Sequence, residues 1–220
     1  VLAEEVTSLK QKLIEYASHV DKMIDKSISG LLDKDEKRLC HVAEVDEPKA
    51  NNLEVEIEEL CTAIIAKFQP TAKDLRTIMM IARMNKDLER MADLAVDITD
   101  SAAYLIERPA VKPLIDIPFM AQITTQMVKD CIDSFIKEDK DLAVSVCARE
   151  PVIEELKDQI NRELLTHMVS NPATIDRAFQ IIRIANSLER IADLSTNICE
   201  DVIYIVEGTI IKNLQNEDTA

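Results

Sequence analysis

The sequence predicts an all-α fold: six helices arranged as two pseudo-symmetric, antiparallel three-helix bundles. Three observations predict it. The stretch Leu88-Glu89-Arg90-Met91-Ala92-Asp93-Leu94-Ala95-Val96-Asp97-Ile98 returns as Leu188-Glu189-Arg190-Ile191-Ala192-Asp193-Leu194-Ser195-Thr196-Asn197-Ile198, with seven of eleven positions identical at a constant offset of 100. The match extends to Arg83 with Arg183, Tyr104 with Tyr204 and Glu107 with Glu207, so the chain is an internal duplication. It holds two glycines in 220 residues, too few for the turns of a sheet or barrel and well suited to long helices. Apolar residues also recur at the helical period over long stretches. The duplication divides the chain into residues 1–108, a proline-rich junction over 109–118, and residues 119–220.

The elements follow in order. Residues 4 to about 33 carry Val6, Leu9, Leu13, Tyr16, Val20, Met23, Ile24, Ile28 and Leu31 at helical spacing, which predicts one long amphipathic helix that Ser29-Gly30 bends or loosens near its end. Lys34-Asp35 reads as a turn. A second helical stretch runs from Glu36 to about Lys67, broken or kinked at Pro48. Thr71 is placed to cap the third helix, with Asp74 three residues on as in a capping box. That helix extends to Ile106 and presents Leu75, Ile78, Ala82, Leu88, Met91, Ala92, Ala95 and Ile98 to a core. The methionines, among them Met79, Met80, Met84 and Met91, read as core filler. Three of the seven prolines fall at positions 109, 113 and 118, which forbids a continuous helix there. The second copy repeats the plan: a helix from about Phe119 to Lys137, a turn at Glu138-Asp139, and a stretch from about Lys140 to Val169 in which Pro151 plays the part of Pro48. The last helix has Asn171 as cap and Pro172 at its first position, and Gly208 ends it. Helices of this kind cannot bury their apolar stripes alone, so each trio forms a bundle.

Composition narrows the function. Hydrophobic content is 47% with no Trp, three Tyr and four Phe, so the core is aliphatic. Forty-one acids against 26 bases give a net charge of −15, which opposes binding to nucleic acid or anionic lipid. The same charge suits cation binding, docking on a basic partner, or solubility alone. Cys40, Cys61, Cys131, Cys147 and Cys199 form no C-x-x-C pair, as expected of free thiols in a reducing compartment. No apolar run approaches the ~18 residues of a membrane span, and the opening residues, with Glu4 and Glu5, do not resemble a signal peptide.

The duplicated segment carries the candidate site. Glu89, Asp93 and Asp97 in the first copy, and Glu189 and Asp193 in the second, are spaced by four, which sets them on one helix face. The preceding helices add Glu54 and Glu58 with Asn51, and Glu154, Glu155 and Asp158. Clustered carboxylates repel unless a cation neutralises them, and oxygen donors suit hard cations such as Mg²⁺, Ca²⁺, Mn²⁺ or iron. The competing reading is an ordinary solvated face whose acids pair with Arg90, Arg190 and Lys86. His19, His41 and His167 form no paired Glu-x-x-His motif, which argues against a di-iron enzyme. No phosphate-binding glycine loop or nucleophile–base spacing is present, and nothing points to a catalysed reaction.

The chain resembles the PhoU family of phosphate-transport regulators. The resemblance rests on Ala66-Lys67-Phe68-Gln69-Pro70-Thr71-Ala72-Lys73-Asp74-Leu75-Arg76, the two Leu-Glu-Arg-(Met/Ile)-Ala-Asp segments, Lys112-Pro113-Leu114-Ile115-Asp116-Ile117-Pro118, and Asn197-Ile198-Cys199-Glu200 followed by Tyr204. It covers essentially the whole chain. It implies a PhoU-like, spectrin-repeat-like pair of bundles in a cytoplasmic, homodimeric adaptor without catalytic activity. That adaptor would work between the ATPase subunit of the phosphate-specific ABC transporter and a sensor histidine kinase. It would limit phosphate uptake, repress phosphate-starvation genes and meet the membrane only through these partners. By position it implies metal ions, iron or zinc ahead of magnesium or manganese, on Glu89, Asp93, Asp97 and Glu54 in the first copy and Glu189, Asp193, Glu154 and Asp158 in the second. Asn51 and Asn197 stand where the pattern has acids, so the two clusters are expected to differ in metal number or affinity. The alternatives are a di-iron-type carboxylate metalloprotein or metal store, and a regulator of a different ion transporter.

Overall fold

The computed structural model describes residues 1–207, and none of these lies in a strand. The expected helix end at Gly208 falls outside the described residues. Helix α1 spans Leu2–Asp33, α2 Glu36–His41 and α3 Glu47–Phe68, with a π-helical turn at Val42–Asp46 joining the last two. Helix α4 spans Ala72–Ile106, α5 Asp116–Lys137, α6 Lys140–Cys147 and α7 Glu150–Ser170. A 3₁₀ turn at Pro172–Thr174 leads into α8, Ile175–Glu207. Because α2–α3 and α6–α7 each form one rod, the architecture is the expected six-helix, all-α arrangement.

The rods pack as two trios. Helices α1, α3 and α4 contact one another, as do α5, α7 and α8. The most extensive helix pairing joins the duplicated helices α4 and α8, and α1 meets α5 alongside it. One continuous apolar core results, from Val6 to Ile205. Every residue of the α1 stripe named above is buried.

The local chemistry repeats as well. Lys34 and Glu138 close their helices in the left-handed region, at φ 54° and 50°. The following aspartates, Asp35 and Asp139, accept hydrogen bonds from the backbone N–H groups of Arg38 and Leu142 and so cap α2 and α6. Asp35 N–H donates to Gly30 O and Asp139 N–H to Ser134 O, both at 2.9 Å, which makes Gly30 and Ser134 equivalent.

Several local expectations are corrected. Gly30 does not interrupt α1, which runs on to Asp33. A Cβ at Gly30 would lie 2.5 Å from Leu39 Cδ2, so the glycine lets Leu39 approach. Pro48 does not break the second rod; it sits in the first turn of α3, where no N–H is needed. The irregularity comes just before it. Leu39 to Ile57 is one residue longer than Ala143 to Ile160, and the π turn, where Glu47 N–H donates to Val42 O, accommodates the extra residue. In the second copy Ala148-Arg149 instead separate α6 from α7. Thr71 makes no side-chain cap, because Ala72 enters α4 at φ 47° and turns the hydroxyl out of register. Asn171 does cap, accepting from Ala173 N–H. Helix α5 begins at Asp116, inside the expected junction, with Pro118 in a first turn whose N–H groups are free in any case. Leu75 and Met79 are exposed, unlike the core residues Met84 and Met91, because they lie four apart on the face of α4 turned away from the buried Thr77, Ile78 and Ile81.

Candidate metal centres on the repeated helices

In the first copy α3 brings Glu54 and Glu58 beside α4, which carries Glu89, Asp93 and Asp97. Glu54 and Glu89 are half-buried, whereas Glu58, Asp93 and Asp97 are exposed. Lys86 Nζ bridges Glu54 at 2.5 Å and Glu58 at 3.2 Å. Asp97 faces the other copy, 3.8 Å from Arg183. Arg90, a sequence candidate for pairing with these acids, turns instead to the buried Asp87 at 3.7 Å. Among the described residues, Glu89 and Asp93 make no ion pair. Burial, then the charges of Asp93 and Glu54, push the Glu89 carboxyl above its usual range. Burial and then Asp97 do the same to Asp93.

Tyr16, read from the sequence only as a core residue, lies within electrostatic reach of this centre. It is 0% exposed, and its hydroxyl makes no hydrogen bond among the described residues. Burial first, and then the charges of Glu54, Glu89 and Asp93, raise the phenol. Mutually repelling carboxylates favour a cation. As placed, no three Asp, Glu, His or Cys side chains among the described residues converge closely enough to hold one. Binding would therefore require Glu54 to leave Lys86 and Asp93 to turn inward.

The second copy is built differently. Lys157 stands three residues before the buried Ile160, as Glu54 stands three before the buried Ile57, so a cation replaces an acid. Lys157 Nζ lies 3.1 Å from Glu189, and Arg190 lies 2.5 Å from Asp193. Glu154 and Asp158 lie on the exposed side of α7, one helical step round from Ile153 and Lys157. Glu150, one turn before Glu154, is the acid that burial and then Asp193, Glu154, Glu189 and Glu200 push upward. The i, i+4 spacing of Glu150 and Glu154 was the available sequence signal. Met120 occupies the place equivalent to Tyr16, at the same distance before the helix end, and is also fully buried. The first-copy residues thus fit a hard cation better than the second-copy residues do.

The histidines lie elsewhere. His19 Nε2 is 2.9 Å from Asp46 O, and His41 Nδ1 is 3.1 Å from the Asp46 carboxylate. The five cysteines are free thiols, with only Cys40 exposed. No helix among the described residues is long and apolar enough to cross a membrane.

Comparison with known proteins places this geometry. The PhoU domain family matches twice, over residues 13–102 and 117–202. The phosphate-specific transport system accessory protein PhoU homolog of Aquifex aeolicus is 39% identical over 212 residues, covering 96% of each chain. The PhoU homolog 2 of Thermotoga maritima is 32% identical over 217 residues, covering 99% of this chain and 92% of its own. The crystal structure of PhoU from Pseudomonas aeruginosa superimposes with a TM-score of 0.92 at 32% identity, covering 95% of this chain and all of that one.

Proposed function

The chain belongs to the PhoU family of phosphate-specific transport accessory proteins, and from that premise we propose that it is a metal-binding cytoplasmic adaptor. It couples the ATPase subunit of a phosphate-specific ABC transporter to a sensor histidine kinase. In phosphate plenty it limits uptake and holds phosphate-starvation genes off, without catalysing a reaction. The observation that carries the reading is the full-length match, in sequence and in fold, to transport accessory proteins. The two pseudo-equivalent trios share one apolar core, and the net charge of −15 suits docking on basic partner surfaces. A C2 homodimer is the oligomer this reading adopts.

The metal is divalent or trivalent, with iron or zinc ahead of magnesium or manganese, and would neutralise the developing charge of the acid rows. Glu89, Asp93, Asp97 and Glu54 hold it in the first copy. Glu189, Asp193, Glu154 and Asp158 provide the weaker site in the second, where Lys157 and Arg190 already offset two of the four charges. The test is affinity capture from cells grown in high phosphate, paired with a starvation-gene reporter. Recovery of the ATPase subunit and kinase, with derepression when the chain is deleted, supports the adaptor; recovery of neither partner overturns it. Elemental analysis of protein purified without chelator, beside the Glu89→Ala/Asp93→Ala/Glu189→Ala/Asp193→Ala variant, tests the metal.

A further inference from the structure

A cavity of about 60 Å³ lies where the junction between the copies meets the ends of α1 and α4. Its apolar lining includes Leu31 on α1, Leu105 on α4, Leu114 of the junction and Ile181 on α8. Three cations also line it. Arg108 is engaged, its guanidinium 3.7 Å from the Tyr104 ring centre and its Nη1 donating to Tyr104 O at 2.6 Å. Lys112 is buried between Asp116 and Glu163. Lys34 is exposed and has no hydrogen bond or ion pair among the described residues. The duplication shows what this arrangement lacks. Because Gly30 corresponds to Ser134, Leu31 corresponds to Phe135 and Lys34 to Glu138. There the larger Phe135 ring is buried, and Glu138 is held by Lys10 at 3.0 Å and Lys73 at 2.9 Å. By the same counts, the places of Lys10 and Lys73 are taken around Lys34 by Leu114 and Ala173. One end of the molecule thus sets an apolar ring beside a neutralised carboxylate. The other leaves an apolar cavity beside a cation without a counter-ion.

We propose that this cavity binds a short-chain aliphatic monocarboxylate, its chain against Leu31, Leu105, Leu114 and Ile181 and its carboxylate on the Lys34 ammonium. The inference is independent of the acid rows and of any metal. Small-molecule sites are mostly apolar, with a few placed polar groups that fix orientation, and Lys34 is such a group. Size sets the class of ligand. An apolar cavity of roughly 150 Å³ admits benzene, so a space of about 60 Å³ takes a chain of about three carbons and no ring. Charge sets the rest. An ammonium favours a carboxylate over a neutral amide of the same shape. The second acid of a dicarboxylate would be left without a partner against apolar walls.

The experiment is saturation-transfer NMR on the full-length protein titrated with butyrate, butyramide and succinate. The expected result is saturable butyrate binding with a dissociation constant of about 1 mM, and binding of butyramide and succinate at least about tenfold weaker. Leu31→Phe imports the second copy's residue and should fill the cavity, so butyrate binding falls by a similar factor while the melting point stays level or rises. Lys34→Asn removes the charge at a position of φ 54°, a left-handed backbone that asparagine tolerates, and should bring butyrate down to the level of butyramide. Butyrate binding that is absent in the parent, equal to that of butyramide, or unchanged in either variant overturns the site. A lower melting point for Leu31→Phe would show that the space does not exist, and would overturn it as well.

Discussion

Arg83 reaches from α4 to α8 and lies 3.0 Å from Asp201, a carboxylate only 2% exposed. Its repeat counterpart Arg183 reaches back to Asp97 at 3.8 Å, so the central helix pair is stitched in both directions. The stitches are unequal, because the residue equivalent to Asp201 is Ser101, buried and without a hydrogen bond among the described residues. Burial, opposed by Arg83 and reinforced by Asp87 and Glu200, pushes the Asp201 carboxyl up to about 7.

That shift has a definite sign. The folded state holds the Asp201 proton more tightly than an unfolded chain does, whose carboxyl titrates at its ordinary value of 3.8. The associated stability is complete below that pH and is lost as pH rises through about 7. Asp201→Asn should flatten the stability curve across this window and, above it, melt higher than the parent by roughly several degrees. Thermal melts at a series of pH values check this; a parent–variant gap that stays constant with pH would refute it.

Gly30 and Leu39 form a compensated pair with Ser134 and Ala143. Gly30→Ala puts a Cβ 2.5 Å from Leu39 Cδ2 and 2.8 Å from Cγ, and Leu39 is 1% exposed. Overpacking should cost about 1–3 kcal/mol, despite alanine's better helix propensity. Gly30→Ser/Leu39→Ala imports the second copy's pair. In denaturant titrations it should be less destabilised than the sum of its single variants by about 1 kcal/mol or more. Strict additivity would show that the two sites do not share space.

Lys157 should govern the weakness of the second acid row. Lys157→Glu frees Glu189 and restores an acid at the place of Glu54, so more metal per chain, or tighter binding of the second equivalent, is expected by calorimetry. Unchanged stoichiometry and affinity would return that row to the status of a solvated face.

Asp46, in the π turn, accepts from Lys26 at 2.6 Å and lies 3.1 Å from His41. Burial opposes its ionisation, but these hydrogen bonds outweigh it and hold the carboxyl below its usual range. The stability it contributes is present above the unfolded value of 3.8 and is lost as pH falls through the depressed folded value. Lys26→Met should move the acid limb of unfolding to higher pH and cost about 1–2 kcal/mol at neutral pH, reduced because Lys26 is partly solvated. The second copy solves the same problem with reversed charges: Asp130, equivalent to Lys26, pairs with Arg149 at 2.6 Å. An acid limb at the same pH in parent and variant would disprove the account.

Much of this was legible in the chain. The apolar stripe from Val6 to Leu31 is buried as its spacing required, and the α4–α8 duplication was plain from identity. The rows Glu89–Asp93 and Glu189–Asp193 were also visible. The π turn was hidden because a one-residue insertion leaves the apolar pattern nearly intact. Tyr16 was hidden because a buried aromatic at a core position looks the same whether its hydroxyl is satisfied or not. Lys157 was passed over because its equivalence to Glu54 appears only after that insertion is counted.

The sequence by itself determined the helices, their duplication and which faces turn inward, because these follow from periodicity and from chemistry within a few residues. Only the tertiary structure decided which charge meets which. Lys86 and Glu54 are 32 residues apart, and Arg83 and Asp201 meet from the two copies. Such encounters depend on the axial register of packed rods, where a slip of one turn moves each side chain about 5.4 Å and leaves the apolar stripe unchanged.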